Sequence, residues 1–211
     1  VTAQPNPTHP ATSSASSDPS VTPVRPVEPV QALIVVDMQS AFVGGDGAVP
    51  HADRLLDRVR DLLARARESG ALVVQLQNDG EPGTPDEPGT PGWEVHLPVD
   101  TDRGEILLRK TVDDGFEESR LEELLREAGV KELAVCGVMS EMCVSATARG
   151  AVERDFRVVL PHDAHGTYDI PAAEGFSDVV PAATVSRVAE WALGDEVEVV
   201  ARARDVVFSK P

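Results

Sequence analysis

The sequence predicts an α/β fold of three layers, with a mostly parallel sheet between helices. Three observations carry this. Short apolar runs of strand length recur along the chain, amphipathic helical stretches separate them, and 211 residues suit one domain with a proper core better than two. Strands alternating with helices form strand–helix–strand units, whose parallel strands are covered on both faces.

The elements follow in order. Residues 31–36 form an apolar run typical of a strand buried on both faces. Over 51–68, Leu55, Leu56, Val59, Leu62, Leu63 and Ala66 fall on one helical face, with Arg, Asp and Glu opposite. Ser69-Gly70 ends that helix. A second strand covers 71–76, and a loop rich in Pro, Gly and acidic residues runs from Asn78 to Arg103. Loops of that length are usually functional or mobile. A third strand covers 105–109. A helix over 117–128 is capped near Phe116 and closed by Gly129. Strand four is 133–138, a helix covers 141–154, strand five is 157–160, a helix covers 182–193, and a last strand lies within 196–208.

Residues 1–29 are rich in Pro, Ser, Thr and Ala and poor in large apolar residues. Such a segment buries too little surface to offset its ordering entropy, so it reads as a flexible arm preceding a single domain over 30–211. The N-terminus lacks the basic and apolar regions of a signal peptide, and no apolar run approaches the ~20 residues of a membrane span. The expectation is a cytoplasmic protein without membrane contact.

The net charge of -17 argues against a nucleic-acid partner, which requires basic patches. It suits a cationic substrate steered by an acidic surface, and equally a surface kept acidic for solubility. The chain has two cysteines, Cys136 and Cys143. That is too few for a disulfide scaffold, and no Cys/His cluster suggests structural zinc. No GxGxxG or GxxxxGK[ST] motif is present, so no nucleotide cofactor is expected.

Three polar residues follow predicted strands, where ligands collect in open α/β sheets. Asp37 ends strand one, Lys110 ends strand three, and Cys143 follows strand four after a short loop and opens the next helix. A thiol at a helix N-terminus has a lowered pKa, and a nearby lysine would lower it further. A carboxylate can take its proton, and free N–H groups of the same loop can stabilise an oxyanion. Singly, each residue has a plainer reading: a turn cap, a solvated lysine, a small core filler. Their convergence on one sheet edge favours chemistry.

These residues sit in motifs that resemble the isochorismatase-like cysteine hydrolases. The stretch Leu33-Ile-Val-Val-Asp-Met-Gln-Ser-Ala-Phe42 is similar to the family's opening motif. Arg109-Lys110-Thr111, with Phe116, is similar to its lysine motif. Gly137-Val-Met-Ser-Glu-Met-Cys-Val-Ser-Ala-Thr147, continuing to Asp163-Ala164, is similar to its nucleophile motif. The resemblance spans roughly 31 to 190. It implies a Rossmann-like α/β/α sandwich with a six-stranded parallel sheet, in a homodimer or homotetramer. It implies Cys143 as nucleophile, Asp37 as acid/base and Lys110 as their electrostatic partner. It further implies a cis peptide at Val138–Met139 that turns N–H groups of Met139 to Cys143 toward the oxyanion.

Two departures narrow this reading. Isochorismatases proper usually lack the nucleophilic cysteine, so its presence implies acyl chemistry on a small-molecule amide through a thioester. Nicotinamidases carry an Asp-x-His metal motif after strand two, whereas here Asp79 is followed by Gly80 and Glu81. No catalytic metal is therefore expected. The segments Ser140–Arg149 and Pro161–Asp169 are similar to those of family members that open the cyclic amide of a cationic antibiotic.

Remaining residues are assigned by position. Phe42 and Phe116 are expected to line the substrate pocket, and Trp93 to sit in a mobile lid with Glu94 and His96. Cys136 reads as core, and Asp53 and Asp57 as a solvated helix face. His162 and His165 are three apart, a spacing open to metal ligation, but no third ligand is apparent, so hydrogen-bonding or pocket-lining roles are expected. Two other functions stay open: a non-catalytic binding protein on the same fold, and a redox sensor using Cys143.

Overall fold

The computed structural model describes residues 28–211, so the proposed arm lies outside the described residues except for Glu28 and Pro29. Strands β1 (Ala32–Val36), β2 (Leu72–Asn78), β3 (Ile106–Lys110), β4 (Glu132–Val138), β5 (Arg157–Pro161), β6 (His165–Gly166) and β7 (Val197–Val200) form one sheet. The order along it is β3-β2-β1-β4-β5-β7, and every pairing is parallel. The two-residue β6 pairs Gly137 and Val138 of β4 beyond the end of β5, a feature too short to show in the sequence. The order reverses between β1 and β4, and ligands bind outside the strand carboxyl ends at such a point.

Side-chain alternation splits the core into two layers. Leu33 and Val35 face α2 (Ala52–Ser69), meeting Leu55, Leu56, Val59, Leu62, Leu63 and Ala66. Ala32, Ile34 and Val36 face the other way, toward Leu121 and Leu125 of α3 (Leu121–Glu127) and Ala148 and Ala151 of α4 (Ser145–Glu153). All five β1 side chains are buried, as its unbroken apolar run requires. Helix α2 ends where Gly70, at φ 75°, donates to the carbonyls of Ala66 and Arg67. The short helix Ser40–Val43 follows β1, and Ala182–Ala192 is the final helix. Below they are α1 and α5.

Two helices differ from expectation. The predicted 117–128 helix forms only over α3, because Glu118 adopts φ 52° and breaks the run. The N-cap position is Arg120 rather than Phe116, and the Ser119 hydroxyl just before it accepts the Leu121 N–H. The predicted 141–154 helix divides into a wide turn, Ser140–Val144, followed by α4. Met142 leaves helical geometry at φ -108° and ψ -109°. Among the described residues no helix is long and apolar enough to cross a membrane.

Candidate active site

The β1–β4 edge brings three side chains together. Lys110, last residue of β3, reaches across β2 so that its Nζ lies 2.7 Å from Asp37 Oδ2 and 3.3 Å from Cys143 Sγ. The ammonium also donates to the Val112 carbonyl and, at 3.4 Å, to Asn78 Oδ1. Both ion-pair side chains are sealed from solvent, at 0% and 3% exposure. Asp37 adopts φ 48°, and its Oδ1 is buried without a hydrogen-bond partner. A buried acceptor of this kind is costly unless something uses it.

The backbone behind the thiol is tightly placed. Gly137 has φ 123°, and a Cβ there would lie 2.0 Å from the Val36 carbonyl oxygen, so β4 approaches β1 only with glycine at this position. The next peptide, Val138–Met139, is cis. The Met139 carbonyl then accepts from the N–H groups of Met142 and Val144, so the Met142 N–H is engaged within the turn.

The electrostatics correct one expectation. Burial pushes the Cys143 thiol up from its ordinary range, and Asp37 adds to this, while Lys110 pulls the other way. The expected lowering fails because Cys143 lies inside the wide turn rather than at the first turn of α4, where unsatisfied N–H groups would act. Burial also raises Asp37, against the pull of Lys110 and the thiol. Burial disfavours the Lys110 ammonium, but Asp37 and Cys143 outweigh it and hold the group above its usual value. At rest, burial thus favours the protonated thiol, beside a Lys110 ammonium held 2.7 Å from Asp37 Oδ2.

Other residues join the site that the sequence left unassigned. The thiol donates to exposed Asp113 Oδ1 at 3.4 Å. Gln39, fully buried, accepts from the Asn78 N–H and donates to the carbonyls of Asn78 and Trp93. Gln77 donates to the Trp93 carbonyl as well, and Asn78 Nδ2 donates to Asp86 at 2.7 Å. The polar Gln75-x-Gln77-Asn78 pattern in an otherwise apolar strand is the only trace of this in the sequence.

The expected substrate contacts fare differently. Trp93 is tied down rather than hung in a free lid: Nε1 donates to Asp79 Oδ1 at 2.9 Å, and the Arg109 guanidinium lies 5.1 Å above its ring. The flanking backbone bonds to α1 and the residues before it, the Ala41 N–H donating to the Gly92 carbonyl and the His96 N–H to the Met38 carbonyl, and Ser40 Oγ meets His96 Nδ1 at 3.3 Å. Phe116 belongs to the core, 4% exposed and stacked 6.0 Å from Phe156, because the chain turns inward at Gly115. Phe42 is half-buried against the α2 layer. Asp79 is bound bidentately by Arg109. Cys136 is fully buried in β4, as expected. The absence of a third partner for His162 and His165 is corrected: Glu190 of α5 lies against both.

The sequence and fold match known proteins. The model of the isochorismatase domain matches residues 31–205. Two streptothricin hydrolases of Streptomyces noursei are 67% identical over 179 and 181 residues. These matches cover 85% and 86% of this chain, and 71% and 66% of the relatives, so the chain spans about two thirds of their length. The crystal structure of a cysteine hydrolase from Pseudomonas syringae pv. phaseolicola superposes with a TM-score of 0.75 at 27% identity, covering 88% of this chain and 95% of that one.

Proposed function

The chain belongs to the isochorismatase family, and we propose that it is a metal-independent cysteine hydrolase that opens the cyclic amide of a streptothricin-type cationic antibiotic. The observation that carries this is the buried contact of Lys110 with both Asp37 and Cys143. A carboxylate, a lysine and a thiol sealed at the switch point of a parallel sheet supply a base, a charge clamp and a nucleophile.

The geometry supports one order of steps. Asp37, its Oδ1 unoccupied by any hydrogen bond, takes the Cys143 proton as Sγ attacks the amide carbonyl. Lys110 stays charged and neutralises the growing negative charge. N–H groups of the Met139–Cys143 turn other than that of Met142, which the Met139 carbonyl engages, hold the oxyanion. The C–N bond breaks, and Asp37 returns the proton to the departing amine. Water, deprotonated by Asp37, then cleaves the thioester and restores the thiol.

The acidic surface supports a cationic substrate, and Asp113 beside the thiol adds a local negative group. Phe42 and Trp93 are the proposed substrate contacts. Metal independence is supported by Asp79, which faces Arg109 and Trp93 and has no histidine two residues on. The exposed apolar residues Ile170, Phe176, Val188 and Trp191 support a homodimer or homotetramer. Neither a redox sensor nor a binding protein explains the buried trio as well, and Cys136 is fully buried in the core rather than poised as a resolving thiol.

Incubation with a streptothricin-type lactam tests the reading by mass spectrometry. The substrate gains one water with the wild type and none with Cys143→Ala. Equal turnover by the variant refutes it.

A further inference from the structure

We propose that His162, His165 and Glu190 form a binding site for one zinc-class divalent cation, set behind the nucleophile turn and separate from the thiol.

The donor set comes first. His162 and His165 bracket the turn between β5 and β6, and Glu190 projects from the facing α5. One ligand atom from each lies within 4.8 Å of the others. His162 Nδ1 is 2.5 Å and His165 Nε2 is 3.0 Å from the same Glu190 oxygen, Oε1. Two imidazoles and one carboxylate suit zinc and its first-row neighbours, and leave a fourth position for water. Calcium and magnesium favour oxygen-only sets.

The surroundings meet the further requirements. The Glu190 and His165 side chains are 2% and 1% exposed, so they are held rigidly. His162 is half-exposed and lines two cavities, one of about 840 Å³ shared with Glu190 and one of about 410 Å³ shared with His165. An ion can therefore reach all three ligands. Arg187 contacts the other carboxylate oxygen, Oε2, at 3.5 Å and leaves Oε1 to the ion.

A second shell is in place. His165 Nδ1 lies 2.8 Å from Ser140 Oγ, which lies 2.9 Å from Ser186 Oγ. In the hydrogen-bonded arrangement, His165 Nε2–H donates to Glu190 and Nδ1 accepts from the Ser140 hydroxyl. To bind an ion, His165 presents a bare Nε2, carries its proton on Nδ1 and donates to Ser140, whose hydroxyl turns to Ser186. His162 likewise presents a bare Nδ1 and keeps its proton on Nε2. Ser140 opens the turn that carries Cys143, so the ion braces that turn from behind.

The test uses untagged, chelator-stripped Cys143→Ala protein, so that the reactive thiol cannot hold the ion. It is titrated with Zn²⁺ by calorimetry and with Co²⁺ by visible absorption. The expected result is one ion per chain, with affinity falling more than about tenfold when His162→Ala or Glu190→Gln is added. Zn²⁺ also raises the melting temperature, and adding His162→Ala abolishes that rise. His162 is half-exposed, so its variant folds even where Glu190→Gln does not. No uptake by the Cys143→Ala protein, or uptake undiminished by His162→Ala, overturns the proposal.

Discussion

The Lys110 ammonium lies 2.7 Å from the Asp37 carboxylate with both side chains closed off from solvent. A buried ion pair of this kind is worth little when whole, but removal of one partner strands the other. The pair stays charged because Lys110 also meets the Cys143 sulfur and two oxygens.

Lys110→Ala leaves Asp37 without its partner. Stability falls by about 3–5 kcal/mol, read from urea denaturation, and kcat falls by at least about 10²-fold. A variant of wild-type stability would show that the pair is already solvated in the native protein.

Asp37 and the exposed Asp113 both face the thiol, and their variants separate base from bystander. Asp37→Asn lowers kcat by about 10²–10⁴-fold. Asp113→Asn, at a solvated carboxylate, changes it by less than about tenfold. The reverse order in steady-state assays would move the base to Asp113.

The pH profile carries the sign of the shifts. Burial raises Asp37, so the base is lost as pH falls through a value above the ordinary 3.8. The acid limb of kcat/KM is therefore displaced upward. Because burial holds the thiol protonated, no activation step appears near the ordinary thiol pKa of about 8.5. Such a step would indicate a free thiolate mechanism instead.

Gln39→Leu removes the amide that joins Asn78 to Trp93 and leaves the Asn78 N–H and carbonyl short of a partner, while the Trp93 carbonyl keeps only Gln77. The cost is about 1–3 kcal/mol, with KM rising more than kcat falls, since Trp93 is a proposed substrate contact. An unchanged KM would remove Trp93 from the pocket.

Much of this was legible because it is local. The apolar run of β1 and the helical spacing of α2 each state a buried face, and Asp37, Lys110 and Cys143 stand where strands end. What stayed hidden depends on distant partners. The Gln39–Trp93 tie spans 54 positions, and the His162–Glu190 contact spans 28. Phe116 stands in a family motif yet turns inward to Phe156, which spacing alone cannot show. The thiol's pKa departs from the sequence expectation because the chain forms a wide turn in a buried site, not a helix start, at Cys143.

The central claim is that Cys143 carries the acyl group. Rapid-quench intact-mass spectrometry of the protein mixed with a streptothricin-type lactam tests it most directly. The account predicts a transient adduct of substrate mass on the wild type, mapped to Cys143 and missing from Cys143→Ala. Because a lactam keeps its amine on the acyl chain, the adduct retains the whole substrate until water releases it. Hydrolysed product formed by Cys143→Ala at the wild-type rate, with no adduct on either protein, would contradict the account.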